Sequence, residues 1–384
     1  MLFIQKIKKT DWSIVAVLLV FMVFGTMVLI SATMDTLYAD KGFPSKNIMF
    51  FCMGFVAMFF IAFINYRYYL KYAYVLYGLG IVLLIGLFSP LGVERGGAKG
   101  WYDLKFTDFQ PAELMKIIVI ITLAAFLAKR NGEKLQMKKD VIPMGLIVFF
   151  PFLLIVAQPD MGNAIILMVI LLGIYWIGNI KLTHVLIGTA IVAGFAALFL
   201  FFYHNHHDEM KKMTESIGAA HWMVRLDSFL DPANADKDKS RQVDQAKMAI
   251  GSGSLTGEGY KKGYATHNNL IYVAYSDTIF VVVGEEFGFL GSAGLLMAYF
   301  FLIYRMIIIA QESEDRNGGY MIIGIVSLYV FQIFQNIGML IDIMPLTGIT
   351  LPFISYGGTS LLINMMAIGL VMSVRIHGNK PLEE

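Results

Sequence analysis

Cysteine is nearly absent from this 384-residue chain. The single Cys52 lies inside an apolar run, so an intramolecular disulfide is excluded and a thiolate metal cluster is not expected. Charge is scarce as well: Asp, Glu, Lys and Arg make up 15% of the residues, against 57% hydrophobic ones. With a mean hydropathy of +0.66, a soluble domain has no way to keep that much apolar surface from water. The chain is therefore read as an integral membrane protein. Cofactor signatures are missing too, with no P-loop, no Gly-x-Gly-x-x-Gly after a strand and no zinc-spaced His or Cys set. His204, His206 and His207 cluster without the carboxylate spacing of a metal site. No organic cofactor is expected, and a net charge of +2 gives no reason to expect a nucleic-acid partner. Any reaction has to run on a bond that the substrate already carries in activated form.

What the chain has in abundance is apolar runs long enough to cross a bilayer core. They lie at about 13–33, 47–64, 73–90, 110–128, 141–157, 163–178, 183–203, 277–303, 319–342 and 354–374. The expected fold is all-α and polytopic, one membrane domain over 1–384 with a retained first span and a long loop at 204–276 between spans seven and eight. Gln158-Pro159-Asp160-Met161-Gly162 separates two runs by a helix-breaking turn, so those two also read as one broken re-entrant pair. With the first residues inside, fifteen Lys and Arg fall in the inner segments. Five fall in the short outer loops: Lys41, Lys46, Arg95, Lys99 and Lys105. That bias places both ends in the cytoplasm.

Polar residues at membrane depth are then the candidates for function. Asp277 stands where the long polar segment meets span eight. It reads either as a helix N-cap or as an outward-facing general base, and both can hold. Glu285 and Glu286 follow two turns later, roughly 12 Å deeper, and are expected to need partners in other helices. Lys116 is one available cation, although Glu113 at i−3 competes for it. A structural buried ion pair is the favoured reading of Glu113, Lys116, Glu285 and Glu286. Asp160 reads as a further cap, and Asn163 as a polar group that needs a partner. Trp101, beside Lys99 in a Gly-rich outer loop, belongs either to an interfacial aromatic belt or to a sugar-stacking surface. Gln110-Pro111 is ordinary helix-start chemistry. Gly357-Gly358-Thr359-Ser360 reads as small-residue packing or as an anion nest.

Taken in order, these blocks resemble the SEDS family (shape, elongation, division and sporulation) of RodA/FtsW-type peptidoglycan glycosyltransferases. The matching residues are Trp101, Phe109-Gln110-Pro111-Ala112-Glu113-Leu114-Met115-Lys116, Gln158 to Gly162, Ala249-Ile250-Gly251-Ser252-Gly253, Ser276-Asp277 and Gly284-Glu285-Glu286-Phe287-Gly288. They end with Pro345-Leu346-Thr347-Gly348 and Leu351-Pro352-Phe353-Ile354-Ser355-Tyr356-Gly357-Gly358. The family usually has Arg just before the Trp, where this chain has Gly100. Its Thr-Asp-Phe is here Ser276-Asp277-Thr278, and its Gly-Gly-Ser-Ser is Gly357-Gly358-Thr359-Ser360. The run from Asn336-Ile337-Gly338-Met339 to Ile349 is more similar to the rod-elongation branch than to the division branch.

The resemblance implies a bacterial plasma-membrane enzyme that polymerises lipid II, with Asp277 orienting or deprotonating the acceptor hydroxyl and undecaprenyl diphosphate leaving. It implies a substrate surface drawn from Trp101, Lys99, Arg95, Lys105, Gln110, Arg241, Lys247, Ser355, Gly357 and Gly358. Either these cations or a divalent ion, Mg or Mn, would have to stabilise the leaving diphosphate. The implied partners are a class B penicillin-binding protein and other elongation-complex membrane proteins. Two rival readings remain: a lipid II flippase using Glu285, Glu286 and Lys116 as a polar path, and a non-catalytic scaffold for a transpeptidase.

Overall fold

The structure, a computed structural model, describes residues 3–34, 39–95, 97–105, 107–130, 132–216, 237–271 and 273–378, with isolated positions between 217 and 236. Gly96 of the Trp101 loop, Lys380 and much of 217–236 lie outside the described residues. The fold is an all-α polytopic membrane fold. Its crossing helices are α1 (Trp12–Thr33), α2 (Phe43–Phe63), α3 (Ala73–Gly86), α4 (Pro111–Ala128), α5 (Ile142–Val156), α6 (Met161–Ile177) and α7 (Leu182–Asn205). Next come α8 (Lys237–Ser252) and α9 (Tyr264–His267) in the intervening segment, then α10 (Ile279–Glu312), α11 (Arg316–Leu340) and α12 (Gly358–His377). Among the described residues eight are long and apolar enough to cross a membrane, α5 being counted with the turn before it as Met137–Val156; α3 and α6 are shorter apolar helices. Asp160 caps α6, which begins afresh after the turn. The 204–276 segment is more helical than its polarity suggested, with a further helix at His207–Ser216 as well as α8 and α9.

Local chemistry sets the helix starts. Asp11, Asp160 and Asp315 accept backbone N–H groups at the heads of α1, α6 and α11, and Pro sits in the first turns of α2 and α4. α4 is buried on nearly every face and apolar apart from Glu113, Lys116 and Thr122, the pattern of a central helix. α12 lies against α2 through small residues. A Cβ on Gly54 would meet Met365 at 2.7 Å, and one on Gly369 would lie 2.7 Å from the Met58 carbonyl. α7 is peripheral, with Tyr203 its one buried residue. Ion pairs close one end of the bundle: Arg67 with Asp315 at 3.2 Å, Arg130 with Asp140 at 2.5 Å, Arg305 with Asp11, and Arg375 with Glu312.

The opposite end carries a three-stranded antiparallel sheet that the sequence reading had as an irregular loop. It comprises β1 (Gly92–Arg95), β2 (Ala98–Asp103) and β3 (Asp108–Phe109). Trp101 faces Val93 and Tyr102 faces Phe109 across the ladders. The Tyr102 hydroxyl donates to the Leu83 carbonyl at 2.8 Å, which ties the sheet to α3.

α10 is interrupted. Gly288 leaves the helical region, with φ +62° and ψ −157°, a conformation in which a side chain would be strained. The next two amides, of Phe289 and Leu290, turn away from α10 and donate to the Ser254 and Leu255 carbonyls at 2.9 and 3.0 Å. The Glu285 and Glu286 carbonyls that they would have served accept instead from the Glu258 and Gly259 amides, at 2.9 and 3.1 Å. Two donors and two acceptors are exchanged with the 253–259 segment, so the break leaves none of these four groups unpaired where no water can serve them.

Glycine makes that approach possible. A Cβ on Gly253 would lie 2.0 Å from the Gly284 carbonyl oxygen, and one on Gly257 would lie 2.1 Å from that of Glu286. Gly251, two residues earlier at the end of α8, has open space around its Cβ position. Gly253→Ala should therefore lower thermal stability by about 1–3 kcal/mol through overpacking. Gly251→Ala should be neutral, or stabilising by about 0.5–1 kcal/mol as a helical Gly-to-Ala change. Melting curves of the two purified variants check this; equal melting would contradict the docking of 253–259 on the break.

Candidate active site

Asp277 is half-buried in the turn that leads into α10. The cap position falls to Thr278, one residue later, so the N-cap reading of Asp277 is corrected. The Thr278 hydroxyl instead donates to the Val273 carbonyl at 3.2 Å, closing the turn. From α11, the Asn336 side-chain amide donates to the Asp277 carbonyl at 2.7 Å and to the Ile349 carbonyl at 2.7 Å. Gln335 donates to the Pro345 carbonyl at 3.0 Å and to Thr347 Oγ1 at 3.2 Å, and Gln332 to the Thr350 carbonyl at 3.1 Å. Residues 332, 335 and 336 share one face of a helix, so three amides of α11 cradle the whole 345–350 segment. Gly348, at φ +74°, presents that segment to the carboxylate: a Cβ there would sit 3.6 Å from Asp277 Oδ2.

A chain of contacts joins this turn to the Trp101 sheet. The Tyr356 amide donates to the Tyr275 carbonyl at 2.9 Å. Phe43, Tyr275 and Tyr356 pack as an aromatic trio, with ring centroids 4.7, 4.3 and 6.3 Å apart. Thr359, in the first turn of α12, donates to the Asp108 carbonyl of β3. Burial, and then the Asp108 carboxylate, push the Tyr356 phenol above its ordinary value, so it stays a neutral hydroxyl. Ser355 is buried and its Oγ accepts the Leu351 amide at 2.8 Å. Gly357 and Gly358 start α12, and a Cβ on Gly358 would lie 2.5 Å from the Phe50 ring. Of the two readings for this glycine pair, Gly358 serves close packing.

The deep polar residues sort into separate clusters. Lys116 pairs with Glu113 at 2.7 Å, both buried, and Ser360 donates to the other Glu113 oxygen at 3.3 Å. Gln110 and Asn163 both donate to Asp160 Oδ2 at 2.8 Å, and the Gln110 nitrogen lies 3.8 Å from a Cβ position on Gly100, next to Trp101. Glu285 accepts from the Ala265 amide at 2.5 Å and from the Thr266 amide and hydroxyl at 3.1 and 2.6 Å. Glu286 accepts from Ser31, with His267 Nε2 at 3.4 Å from the same oxygen. The expectation of a Lys or Arg partner for Glu285 and Glu286 is thus corrected. Their partners are N–H and O–H donors of the docked 264–267 segment and α1, which saturate Glu285 but leave Glu286 Oε2 without a partner among the described residues. Lys116 does not reach them.

The cations expected around a diphosphate differ in availability. Arg95 is held by both Asp108 oxygens, at 2.7 and 2.8 Å. Lys247 bridges Asp342 at 2.9 Å and Asp244 at 3.1 Å, and those carboxylates, Asp342 foremost, raise its ammonium above the ordinary lysine value. Among the described residues, Lys99, Lys105 and Arg241 carry no carboxylate partner. Lys105 and Arg241 are exposed and Lys99 is half-buried on β2, two residues before Trp101. The three amides of α11 and the aromatic trio were missed in the sequence. The signal for the amides was there, since Gln332, Gln335 and Asn336 recur at helical spacing in an apolar run.

Comparison with known proteins places this arrangement. The family model FtsW/RodA/SpoVE, described as cell cycle protein, matches residues 11–380. The peptidoglycan glycosyltransferase MrdB of Escherichia coli (strain K12) is 33% identical over 377 residues, 96% of each chain. Stage V sporulation protein E of Bacillus subtilis (strain 168) is 30% identical over 96% of this chain and 98% of its own. A solved peptidoglycan synthase complex, described as coordinating polymerization and crosslinking, contains a chain of the same fold. Its TM-score is 0.76 at 24% identity, covering 97% of this chain and 99% of that one.

The Glu113–Lys116 pair gives a stability test. Lys116→Met leaves a carboxylate buried without its cation and should cost about 3–5 kcal/mol. Adding Glu113→Leu removes the orphaned charge and should recover most of that loss. Thermal melting of the purified single and double variants measures both; a single variant as stable as the double would contradict the pairing.

Proposed function

The chain belongs to the FtsW/RodA/SpoVE family, and we propose that it is a peptidoglycan glycosyltransferase that polymerises lipid II, with Asp277 as the catalytic carboxylate. The observation that carries the assignment is the position of Asp277. It is a half-buried carboxylate at the head of a membrane helix, apposed to Gly348 and linked by hydrogen bonds to the strand system that bears Trp101. The excess of Lys and Arg at the opposite end supports an orientation in which this end faces outward and both termini are cytoplasmic.

The chemistry needs little more than placement. Lipid II already carries its leaving group, a diphosphate on C1 of the sugar, so no nucleotide site is required. Asp277 orients the acceptor 4-hydroxyl and takes its proton as the oxygen attacks C1. The C1–O bond to the diphosphate breaks on the opposite face, which inverts the centre and leaves a β-1,4 link with undecaprenyl diphosphate departing. Trp101 offers a flat apolar face to a sugar ring. Lys99, Lys105 and Arg241 are the cations free to meet the diphosphate charge. A divalent ion, Mg or Mn, held by the substrate's own phosphate oxygens would supply charge neutralisation. Among the described residues no group of three His, Cys, Asp or Glu forms a protein-only cage.

The same reading makes the protein the polymerising half of an assembly whose other half crosslinks, with a class B penicillin-binding protein as partner among other elongation-complex membrane proteins. The solved synthase complex with a chain of this fold supports that partner class. The branch proposed is rod elongation, on the run from Asn336-Ile337-Gly338-Met339 to Ile349.

Purified protein given lipid II should build glycan strands visible on a gel, and Asp277→Asn should slow this by about 10²- to 10⁴-fold while melting and eluting like the parent. Polymer at the parental rate from a folded Asp277→Asn variant would sink the assignment. Rescue of growth by that variant would point to a scaffold.

A further inference from the structure

Asn336 is fully buried in α11, and its side-chain nitrogen has two hydrogens to give. Both are used, at 2.7 Å each, on the carbonyls of Asp277 and Ile349. Carbonyls only accept, so the amide has one orientation; turned over, its oxygen would face two oxygens. Its own Oδ1 is buried with no hydrogen-bond partner among the described residues. A buried acceptor left unpaired is unfavourable, and helix packing alone would be served better by an apolar side chain. The amide is there for its two donations.

Those donations join the two pieces that flank the carboxylate. One fixes the peptide of Asp277 itself, from which the direction of its side chain follows. The other fixes Ile349, the neighbour of Gly348, whose missing Cβ keeps the 345–350 segment 3.6 Å from Asp277 Oδ2. Gln332 and Gln335 hold the same segment from the same helix face. Asn336 therefore ties the peptide of the carboxylate residue to the surface opposite it.

We propose that Asn336 is the positioning residue for Asp277, clamping its backbone to the 345–350 segment so that the carboxylate points at the acceptor hydroxyl. This rests on the reading of Asp277 as the catalytic carboxylate. Asn336 does not touch substrate; it acts through the geometry of Asp277, and a misplacement of about 1 Å costs on the order of 10²-fold in rate.

The test uses the full-length protein, lipid II as substrate, and kcat and KM measured per folded molecule. Asn336→Asp keeps the shape and leaves at most one donation, so the two carbonyls are no longer clamped together. It should lower kcat by about 10²-fold with KM for lipid II within about 2-fold, because binding energy is not what is lost. In an Asp277→Asn background the same change should have almost no further effect, since residues that act as a unit are not additive. A merely structural role would instead lower the folded fraction and would compound with Asp277→Asn. If Asn336→Asp does not fold, Asn336→Gln keeps both hydrogens on an arm one methylene longer and should lose about 10-fold in kcat. A parental kcat in the folded variant, or losses that multiply in the double variant, would overturn the proposal. Parental polymerisation by Asp277→Asn alone would strike the reading of Asp277, whereas an inactive Asp277→Asn beside a fully active Asn336→Asp would strike the positioning role only.

Discussion

The break of α10 at Gly288 is the constraint on which this end of the molecule depends. A helix that stops inside a membrane strands amides and carbonyls where no water can serve them. Here the stranded groups of Glu285, Glu286, Phe289 and Leu290 are matched one for one by the 254–259 backbone. The polar segment before span eight is therefore part of the membrane fold. Because α10 also carries Asp277 at its head, the docked segment fixes the piece of helix between the break and that carboxylate.

The side chains of Glu285 and Glu286 extend the same logic. Each lies where the backbone exchange brings α9 and its neighbours close, and each takes hydrogen from that segment or from Ser31 of α1. Glu113 solves the problem differently, with a lysine one turn along its own helix. Both arrangements give a carboxylate hydrogen-bond donors at depth, but they differ in reach. The Glu113–Lys116 pair is closed within α4 apart from the Ser360 contact, whereas Glu285 and Glu286 bind distant parts of the chain together. Near Asp277 the holding groups are neutral amides, which orient a carboxylate's backbone without placing a fixed charge beside it.

Much of this was legible in the sequence. Ten apolar runs gave the crossing helices, and the ordered motifs around Trp101, Glu113, Asp160, Asp277 and Gly357 marked the right end of the bundle. Three things were not legible, each for a physical reason. The sheet is made of strands two to six residues long, punctuated by glycine, too short for an alternating pattern to stand out. The partners of Glu285 and Glu286 are two backbone amides, the hydroxyls of Thr266 and Ser31 and the His267 imidazole, groups common enough that searching for Lys and Arg could not find them. The Gly253–Gly284 and Gly257–Glu286 approaches join glycines some thirty residues from their contacts, and one sequence shows the glycines but not what they approach. Asn336 was visible within a motif, while its two acceptors, at 277 and 349, are brought together only by the fold.

The account stands on Asp277 meeting the acceptor sugar in the gap beside Gly348. The most direct measurement is an experimental structure of the protein with a non-reactive lipid II analogue bound. It should place the acceptor 4-hydroxyl within about 2.6–3.2 Å of an Asp277 carboxylate oxygen, with the sugar between Trp101's sheet and the 345–350 segment. A disaccharide bound elsewhere, along the Glu113–Lys116 or Glu285–Glu286 clusters with Asp277 left uncontacted, would contradict it.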